Sequence, residues 1–383
     1  MKVVVTDADD KKALAAVRAL GRRGVHVCAA GSNRLDQSLW SKYAAGTFLY
    51  PNPVRDGAAF TEALLEFLRR ERFDCVLAMS DYTTLLLSRG KREFERVTNL
   101  PFADHETLQL ARDKPKVLEI AARLGIPVPE THCPRSLDEV ERLAPTLTYP
   151  RVVKYRKGTG AVGLRYARTP EELVRQFAAR THERDAVFED DLPMIQEYIP
   201  GPIHDVCLLF NRGEPRAANT HVRAKTLPPT GGRGVVDRTT DEPELREAAL
   251  CLCREIVWQG PAQVEFKVDP RDGRARLMEI NTRFWGGLGP SIEAGIDFAW
   301  LACRMAVDGD VKPVWNYRVG LTYRWFFPGE FLSAWKSKHR FSALLDWLRL
   351  ERGARYDLWP SDPLPHLVKA GRWLYGSLRS RGR

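Results

Sequence analysis

Residues 277–281, Leu-Met-Glu-Ile-Asn, decide the fold of this chain together with residues 264–268, Val-Glu-Phe-Lys-Val. The alternation of apolar and polar side chains predicts two strands, and the turn Pro270–Gly273 between them predicts a hairpin. Residues two apart on a strand share a face, so Glu279 and Asn281 point the same way. A solvated polar face is one interpretation. The surrounding apolar residues favour burial instead, and buried carboxylates need a cation partner.

Two carboxylates, Glu265 and Glu279, and the amide oxygen of Asn281 form a set of hard oxygen donors. Such a set suits Mg²⁺ held between protein and nucleotide phosphates. Arg283 follows one pleat later, where a guanidinium can stabilise charge on a transferred phosphoryl group. The hairpin therefore predicts a metal site with an adjacent catalytic arginine.

A glycine-rich loop follows a predicted strand at residues 151–155 and contains Gly158, Gly160 and Gly163. A strand rather than a helix is predicted after it, so the loop does not fit a dinucleotide fingerprint, and it lacks the G-K-[S/T] of a Walker loop. A kinase would carry its lysine after the loop, together with H-R-D and D-F-G motifs. Either this is a flexible surface hairpin, or its backbone N–H groups cover phosphates while Lys154 supplies a cation.

The first hundred residues alternate between short apolar strands and amphipathic helices, which predicts a parallel sheet covered by helices. Ligands of such sheets lie beyond the carboxyl ends of the strands, where Thr6-Asp7 and Ser80-Asp81 occur. Residues 105–124 are predicted to be helical. After Pro150 closely spaced strands predict an antiparallel sheet. The predicted fold class is α/β, with an α+β central domain.

The net charge of +10 comes from 59 Lys+Arg against 49 Asp+Glu in 383 residues. The segment 311–383 holds 14 Lys+Arg and 5 Asp+Glu, so it carries 14 − 5 = +9, and it holds six of the ten tryptophans. A nucleic-acid partner is not expected, because the basic residues form no RNA-recognition motif. Predicted helices at 343–350 and 367–378 either pack on the body or lie on an anionic membrane.

Seven scattered cysteines predict buried reduced thiols. The N-terminus lacks a signal-peptide pattern, and no stretch approaches 18 uninterrupted apolar residues. The expected location is the cytoplasm, with peripheral contact to the inner face of the membrane as an alternative.

The order of these motifs resembles the ATP-grasp superfamily, in the branch of carboxylate–amine ligases that includes carbamoyl phosphate synthase, biotin carboxylase and the D-alanine–D-alanine ligases. Residues 279–287, Glu-Ile-Asn-Thr-Arg-Phe-Trp-Gly-Gly, are similar to a signature of such ligases, with Thr282 in place of a proline. The resemblance covers roughly residues 1–310. It implies an N-terminal preATP-grasp domain (1–104), an ATP-grasp domain (105–310, with lobes 105–193 and 194–310) and a basic C-terminal extension (311–383).

The resemblance also implies roles for single residues. ATP is expected to contact Lys114, Lys154, Gly158, Gly160, Gly163, Gln196, Glu197, Tyr198, Ile199 and, at the ribose, Asp205. The metal, Mg²⁺ with Mn²⁺ as an alternative, is expected on Glu265, Glu279 and Asn281, and catalysis is expected to use Arg283 and Lys154. Substrate contacts are expected at Arg223, Lys225, Gly231, Gly232, Trp285 and Gly286.

The implied reaction activates a carboxylate as an acyl phosphate and joins it to an amine, releasing ADP and phosphate. The expected partners are therefore small-molecule carboxylates and amines, and a homodimer is left open. Other acceptors (bicarbonate, a thiol or a hydroxyl) and a non-catalytic nucleotide-binding module are the alternatives. Carbamoyl phosphate synthase itself is not expected, because its synthetase subunit carries two such halves.

Overall fold

A computed structural model describes residues 1–158, 164–181, 192–228 and 232–381. Three sheets organise these residues: a four-stranded parallel sheet, a four-stranded antiparallel sheet and a seven-stranded sheet that is antiparallel except at one edge. The predicted α/β class, with an antiparallel central part, is confirmed.

The parallel sheet forms the N-terminal part and has the strand order β3-β2-β1-β4. Its elements are β1 (Lys2–Val5), α1 (Lys11–Arg22), β2 (His26–Gly31), β3 (Gly46–Leu49), α2 (Gly57–Glu71), β4 (Cys75–Leu77), α3 (Asp81–Arg89) and α4 (Lys91–Phe94). Val3, Val4 and Val5 are fully buried because helices cover both faces of this sheet. The carboxyl ends of β1 and β4 place Asp7 and Asp81 at one edge.

The segment predicted to be helical over 105–124 forms two helices, α5 (His105–Arg112) and α6 (Lys114–Arg123). Asp113 separates them, because its ψ of 93° is not helical and its side chain accepts a hydrogen bond from the Lys116 N–H. Pro115 follows in the first turn of α6, where its missing N–H costs nothing. The break turns the amino end of α6 towards the glycine loop.

The smaller antiparallel sheet carries that loop and has the order β5-β8-β6-β7. Its elements are β5 (Thr131–His132), α7 (Leu137–Leu143), β6 (Arg151–Lys154), β7 (Arg165–Ala167), α8 (Pro170–Thr181) and β8 (Met194–Glu197). Val153, Leu173, Phe177 and Ile195 form its core. Lys154 is therefore the last residue of β6, directly before the loop.

The large sheet has the order β13-β12-β9-β10-β11-β14-β15. Its strands and helices are β9 (Ile203–Asn211), β10 (Glu214–Leu227), β11 (Arg233–Thr240), α9 (Pro243–Glu255), β12 (Gly260–Val268), β13 (Ala275–Asn281), α10 (Leu288–Ala294), α11 (Phe298–Asp308), β14 (Thr322–Arg324), α12 (Phe331–Trp335), α13 (Arg340–Leu348), β15 (Arg355–Tyr356) and α14 (Leu364–Arg381). Sequence patterns did not indicate β11, β14 or β15, which are polar or very short.

The basic C-terminal segment packs on the body through buried polar contacts as well as through β14 and β15. Arg18 of α1 donates to the Asp362 carboxylate at 2.8 Å, and both side chains are almost fully buried. Asp362 also accepts from Ser41 and from the Lys42 N–H. These contacts fix the C-terminal segment against the parallel sheet. Among the described helices, none is both long enough and apolar enough to cross a membrane.

Candidate active site

The acidic pair lies on neighbouring strands in direct register. Glu265 of β12 faces Glu279 of β13, and Gln263 faces Asn281. The Asn281 amide donates to the Glu265 carboxylate at 2.7 Å and to Gln263 at 3.2 Å. The hairpin therefore brings the two carboxylates and the amide predicted for the metal onto one face of the large sheet.

Lys114 connects this acidic pair to the glycine loop. Its ammonium lies 3.2 Å from the Glu279 carboxylate and donates to the Gly158 carbonyl at 3.1 Å. The Lys114 backbone N–H donates to the carbonyl of Arg156 at 3.2 Å. Because Lys114 begins α6, the helix break at Asp113 is what aims this lysine at the carboxylates.

Lys154 faces the same carboxylates from the smaller sheet. Burial and the charge of Lys114 lower the pKa of Lys154 to about 8, while Glu279 and Glu265 oppose this shift. Within the described residues its ammonium forms no ion pair, in contrast to Lys114. An anion placed between the two sheets would supply the missing counter-charge.

The two carboxylates differ in their electrostatic surroundings. Burial works to raise the pKa of Glu279, but Lys114 and Lys154 outweigh it and hold that pKa below its ordinary value. Burial raises the pKa of Glu265 to about 7, with Arg223 opposing and Glu279 reinforcing the shift. The carboxylate of Glu279 is thus the more firmly ionised of the two. A cation bound nearby would stabilise the ionised form of Glu265 more, because the pKa of Glu265 is raised.

Arg223 of β10 connects the carboxylate of Glu265 with the buried carboxylate of Asp205. Its guanidinium donates to both oxygens of Asp205 at 2.8 Å, to Glu265 and to the Gly232 carbonyl at 3.0 Å. His221 lies 3.3 Å from Asp205 and is fully buried. Burial works to lower the pKa of His221, but Cys207 and Asp205 outweigh it and hold that pKa well above its ordinary value.

This arrangement corrects the expectation that Asp205 binds ribose. The Asp205 carboxylate has no exposed surface, and Arg223 occupies both of its oxygens. In the register of the large sheet Asp205 lies opposite Glu265, one of the residues predicted to bind the metal. Its position fits orientation of Arg223 rather than contact with a sugar.

Arg283 reaches from the end of β13 to the parallel sheet. Its Nε donates to the Asp81 carboxylate, and its NH2 donates to the Asn281 amide oxygen at 3.3 Å. Burial works to lower the pKa of Arg283, but Asp81 outweighs it and raises that pKa. Asp81, which was predicted at the end of a parallel strand, is therefore in direct contact with Arg283, the arginine predicted after the hairpin.

The predicted adenine-binding segment follows β8. Gln196 is buried and donates to Thr131 at 3.0 Å, whereas Glu197 accepts from Arg271 at 2.6 Å. The Tyr198 ring packs edge-on against Tyr166, and the Ile199 carbonyl accepts from Lys267. These residues lie at the end of β8 and directly after it, and their contact with adenine stays a prediction.

The expected substrate residues divide into three groups. Lys225 pairs with Glu330 at 3.1 Å, and Gly232 accepts from Arg223, so both belong to the β10–β11 hairpin beside the site. The Trp285 ring is fully buried against Phe298 in the core, so its burial does not favour the expected substrate contact. Gly231 lies outside the described residues, as do Gly160 and Gly163 of the loop expected to contact ATP.

Sequence reasoning did not single out Lys11. Its ammonium lies 3.4 Å from the centre of the Trp325 ring and donates to the Gly234 carbonyl at 2.8 Å. A Cβ at Gly286 would lie only 3.2 Å from its side chain. Burial lowers the pKa of Lys11 to about 7, although Asp237 and Asp10 oppose the shift. No sequence signal identifies it, because a lysine at the start of an amphipathic helix normally faces solvent.

The donor chemistry of the acidic pair fits Mg²⁺. Glu265 and Glu279 lie in direct register, the Asn281 amide N–H donates to Glu265, and the Asn281 amide oxygen faces Arg283. Carboxylate and amide oxygens are hard ligands. Within the described parts of the chain no group of three His, Cys, Asp or Glu side chains forms a complete metal cage. An ion here would need further oxygen ligands, which nucleotide phosphates or water can provide.

Comparison with known proteins identifies relatives of both lobes. A family model described as "ATP-grasp in the biosynthetic pathway with Ter operon" matches residues 189–326. A second model, "Carbamoyl-phosphate synthase L chain, ATP binding domain", matches residues 113–206. Together the two models cover the glycine loop, the predicted adenine-binding segment (196–199) and the acidic hairpin.

Similar curated proteins include the carbamoyl phosphate synthase large chain of Rubrobacter xylanophilus, 27% identical over 82% of this chain and 30% of that protein. The biotin carboxylase of Nostoc sp. is 29% identical over 46% of this chain and 41% of its own length. The chain thus spans less than half of either relative.

Similar solved structures include biotin carboxylase from Campylobacter jejuni, at a TM-score of 0.70 and 18% identity over 84% of this chain and 74% of that chain. The L-amino acid ligase from Bacillus licheniformis has a TM-score of 0.61 and 19% identity over 82% of this chain and 77% of its own. These structures share the fold. The two family models, which together match residues 113–326, place this part of the chain in the ATP-grasp superfamily.

Proposed function

We propose that this protein is an ATP-dependent ligase that activates a carboxylate as an acyl phosphate and joins it to an amine, releasing ADP and phosphate. The observation that carries the proposal is the position of Lys114, whose ammonium contacts both the glycine-loop carbonyl of Gly158 and the Glu279 carboxylate. One side chain thereby joins a phosphate-covering loop to a metal-binding strand, as phosphoryl transfer from a nucleotide requires.

ATP would lie between the two antiparallel sheets, with adenine at residues 196–199 and the phosphates at the lysines. Lys154 has no ion pair within the described residues, so the phosphates would become its counter-charge. The Gly158 end of the loop permits close backbone approach to those phosphates. Asp205 would hold Arg223 in place rather than contact the ribose.

Glu265, Glu279 and Asn281 would hold Mg²⁺, which when bound neutralises phosphate charge and orients the phosphates for in-line attack. Of these ligands, Glu279 enters the site already ionised because Lys114 and Lys154 hold its pKa low. The metal would stabilise the ionised form of Glu265, whose pKa burial raises to about 7.

In the first step a carboxylate oxygen of the substrate attacks the γ-phosphorus, and the bond from that phosphorus to the bridging oxygen of ADP breaks. Arg283 would stabilise the negative charge on the transferred group, oriented by Asp81 and Asn281. In the second step the amine lone pair attacks the acyl carbon, phosphate leaves, and the amine loses one proton. The hairpin bearing Gly232 would exclude water from the acyl phosphate.

The test is ADP release by the full chain with a panel of carboxylates, with and without a panel of amines, followed by mass spectrometry of the products. Amine-dependent ADP release with an amide product supports the proposal. ADP release with bicarbonate alone, or with a thiol or hydroxyl acceptor, would assign a different acceptor. ATP binding without turnover under any pairing would indicate a nucleotide-binding module.

We further propose that the enzyme acts in the cytoplasm and forms a homodimer. All seven cysteines are free thiols and five are buried, as expected where thiols stay reduced. A solved structural relative, the biotin carboxylase domain from Hydrogenobacter thermophilus, is described as a dimer. Light scattering of the purified chain, measured across a dilution series, tests the oligomeric state.

A further inference from the structure

The helices α12 and α13 present an unusually apolar surface. Five large side chains between residues 335 and 350 are each more than half exposed to solvent: Trp335, Phe341, Leu345, Leu348 and Leu350. Single exposed apolar residues are ordinary, whereas a contiguous group normally marks an interaction site.

The geometry of α13 shows that this exposure is built in. Phe341, Leu345 and Leu348 follow the spacing i, i+4, i+7 and so form one stripe along the helix. Trp347 lies on another face, where its ring stacks on Phe326 and its indole N–H donates to the Phe326 carbonyl at 2.9 Å. The helix is therefore anchored through one face while the apolar stripe points away from the body.

Three cationic side chains lie near one end of this stripe, on the side of α12. Lys336, Lys338 and Arg340 are exposed, and no acidic residue occurs between Glu330 and Asp346. Within the described residues neither lysine forms an ion pair, and the Arg340 guanidinium lies over the Phe341 ring at 5.2 Å. Apolar side chains beside unpaired cations are complementary to a surface that is apolar inside and anionic outside.

We propose that the docking face, formed by Trp335, Lys336, Lys338, Phe341, Leu345 and Leu348, binds an anionic lipid bilayer. A helix with an apolar stripe and Lys or Arg at its polar border lies in the plane of a membrane interface. Tryptophan favours that interface because its ring is apolar and its N–H is polar. A protein partner fits less well, because the cores of protein interfaces are depleted of lysine.

Binding at this face would place the bilayer close to the candidate active site. The Ser333 hydroxyl of α12 donates to the Thr226 carbonyl at 3.0 Å, and Glu330 pairs with Lys225. Thr226 and Lys225 both lie near the end of β10, the strand that also carries Arg223 of the candidate active site. The proposal nevertheless stands apart from the ligase reaction, because lipid binding requires neither ATP nor turnover.

The test is flotation of the full chain with vesicles of phosphatidylcholine alone and with vesicles that also contain phosphatidylglycerol. Binding is expected only to the anionic vesicles and is expected to weaken with salt. Phe341→Asp and Leu345→Asp should each lower the partition coefficient about tenfold, and Lys336→Gln and Lys338→Gln about fivefold each. Matched controls are Leu137→Asp and the pair Arg92→Gln with Arg96→Gln, which are exposed elsewhere and should bind like the wild type.

Light scattering separates the bilayer from a second copy of the chain. If anionic vesicles do not bind, or if the control substitutions reduce binding as strongly as those at the docking face, the proposal is overturned. It is also overturned if the chain dimerises, Phe341→Asp dissolves the dimer, and vesicle binding is absent. Thermal unfolding of each variant shows that the fold is intact before binding is compared.

Discussion

Arg283, which follows β13, donates a hydrogen bond to Asp81, the first residue of helix α3 in the N-terminal part of the chain. The two residues are 202 positions apart in the chain. Their contact fixes the direction of a guanidinium that also donates to Asn281. The carboxyl end of a parallel strand thus orients a residue of the candidate catalytic site.

Asp81→Asn tests this orientation. The amide keeps the size of the side chain but removes the charge that holds Arg283, so turnover should fall about tenfold to a hundredfold. ATP affinity should stay near the wild-type value, because Arg283 acts on the transferred group. Measured ADP release and calorimetric ATP binding separate the two effects. Asp56→Asn, at the start of another helix, is the control, and equal losses in both variants would contradict the prediction.

Lys154 should make ATP binding depend on pH. In the proposed function the Lys154 ammonium binds phosphate. Burial and the charge of Lys114 lower its pKa to about 8, so ATP affinity should decline as pH rises through about 8. Lys154→Arg keeps its charge at high pH and should flatten the profile. Lys154→Ala should abolish ADP release while leaving the fold intact. Lys116→Arg, a substitution at an exposed lysine of α6, is the control. If Lys154→Arg shows the same pH profile as the wild type, the assignment of Lys154 to phosphate binding is contradicted.

The acidic pair predicts two different responses to substitution. Glu279→Gln should abolish ADP release, because it removes the ionised carboxylate held by Lys114. Glu265→Gln should retain weak activity and require more Mg²⁺, because Arg223 and Asn281, which donate to this side chain, remain in place. Mg²⁺ titration of ADP release is the measurement. A Glu265→Gln titration identical to the wild type would remove Glu265 from the proposed ligands.

The buried pair of Arg18 and Asp362 predicts how firmly the C-terminal segment is attached. Asp362→Ala leaves Arg18 charged and unpaired in the interior, which should lower the free energy of unfolding by about 3–5 kcal/mol. Asp310→Ala removes the partner of Arg216 at the surface and should cost about 0–1 kcal/mol. Urea unfolding measures both. Equal small losses would mean that the segment is held by other contacts.

Gly201 predicts a steric requirement next to the adenine-binding segment. A Cβ at this position would lie 1.5 Å from the carbonyl oxygen of Val268, so the backbone must shift in Gly201→Ala. We expect a loss of about 1–3 kcal/mol in unfolding free energy together with weaker ATP binding. Gly46→Ala is the control, because no atom lies within 4 Å of its Cβ position. Unchanged stability and affinity in Gly201→Ala would contradict the steric argument.

Local sequence patterns were enough to predict several secondary-structure elements. The alternation in residues 264–268 and 277–281 predicted the hairpin and the shared face of Glu279 and Asn281, since the period of a strand depends on few neighbouring residues. The rhythm of the first hundred residues predicted the parallel sheet. The fold class followed from these patterns. The order of lysine, glycine loop and acidic hairpin indicated the superfamily.

Contacts between distant residues could be identified only from the three-dimensional structure. Asp205 turned out to pair with Arg223, Trp285 to fill the core, and Lys11 to stack on Trp325, because burial and long-range pairing do not follow from local periodicity. The short strands β14 and β15 form for the same reason, since they gain their hydrogen bonds from the edge of an existing sheet. Contacts between residues hundreds of positions apart depend on how the sheets pack, and the sequence pattern carries no record of that packing.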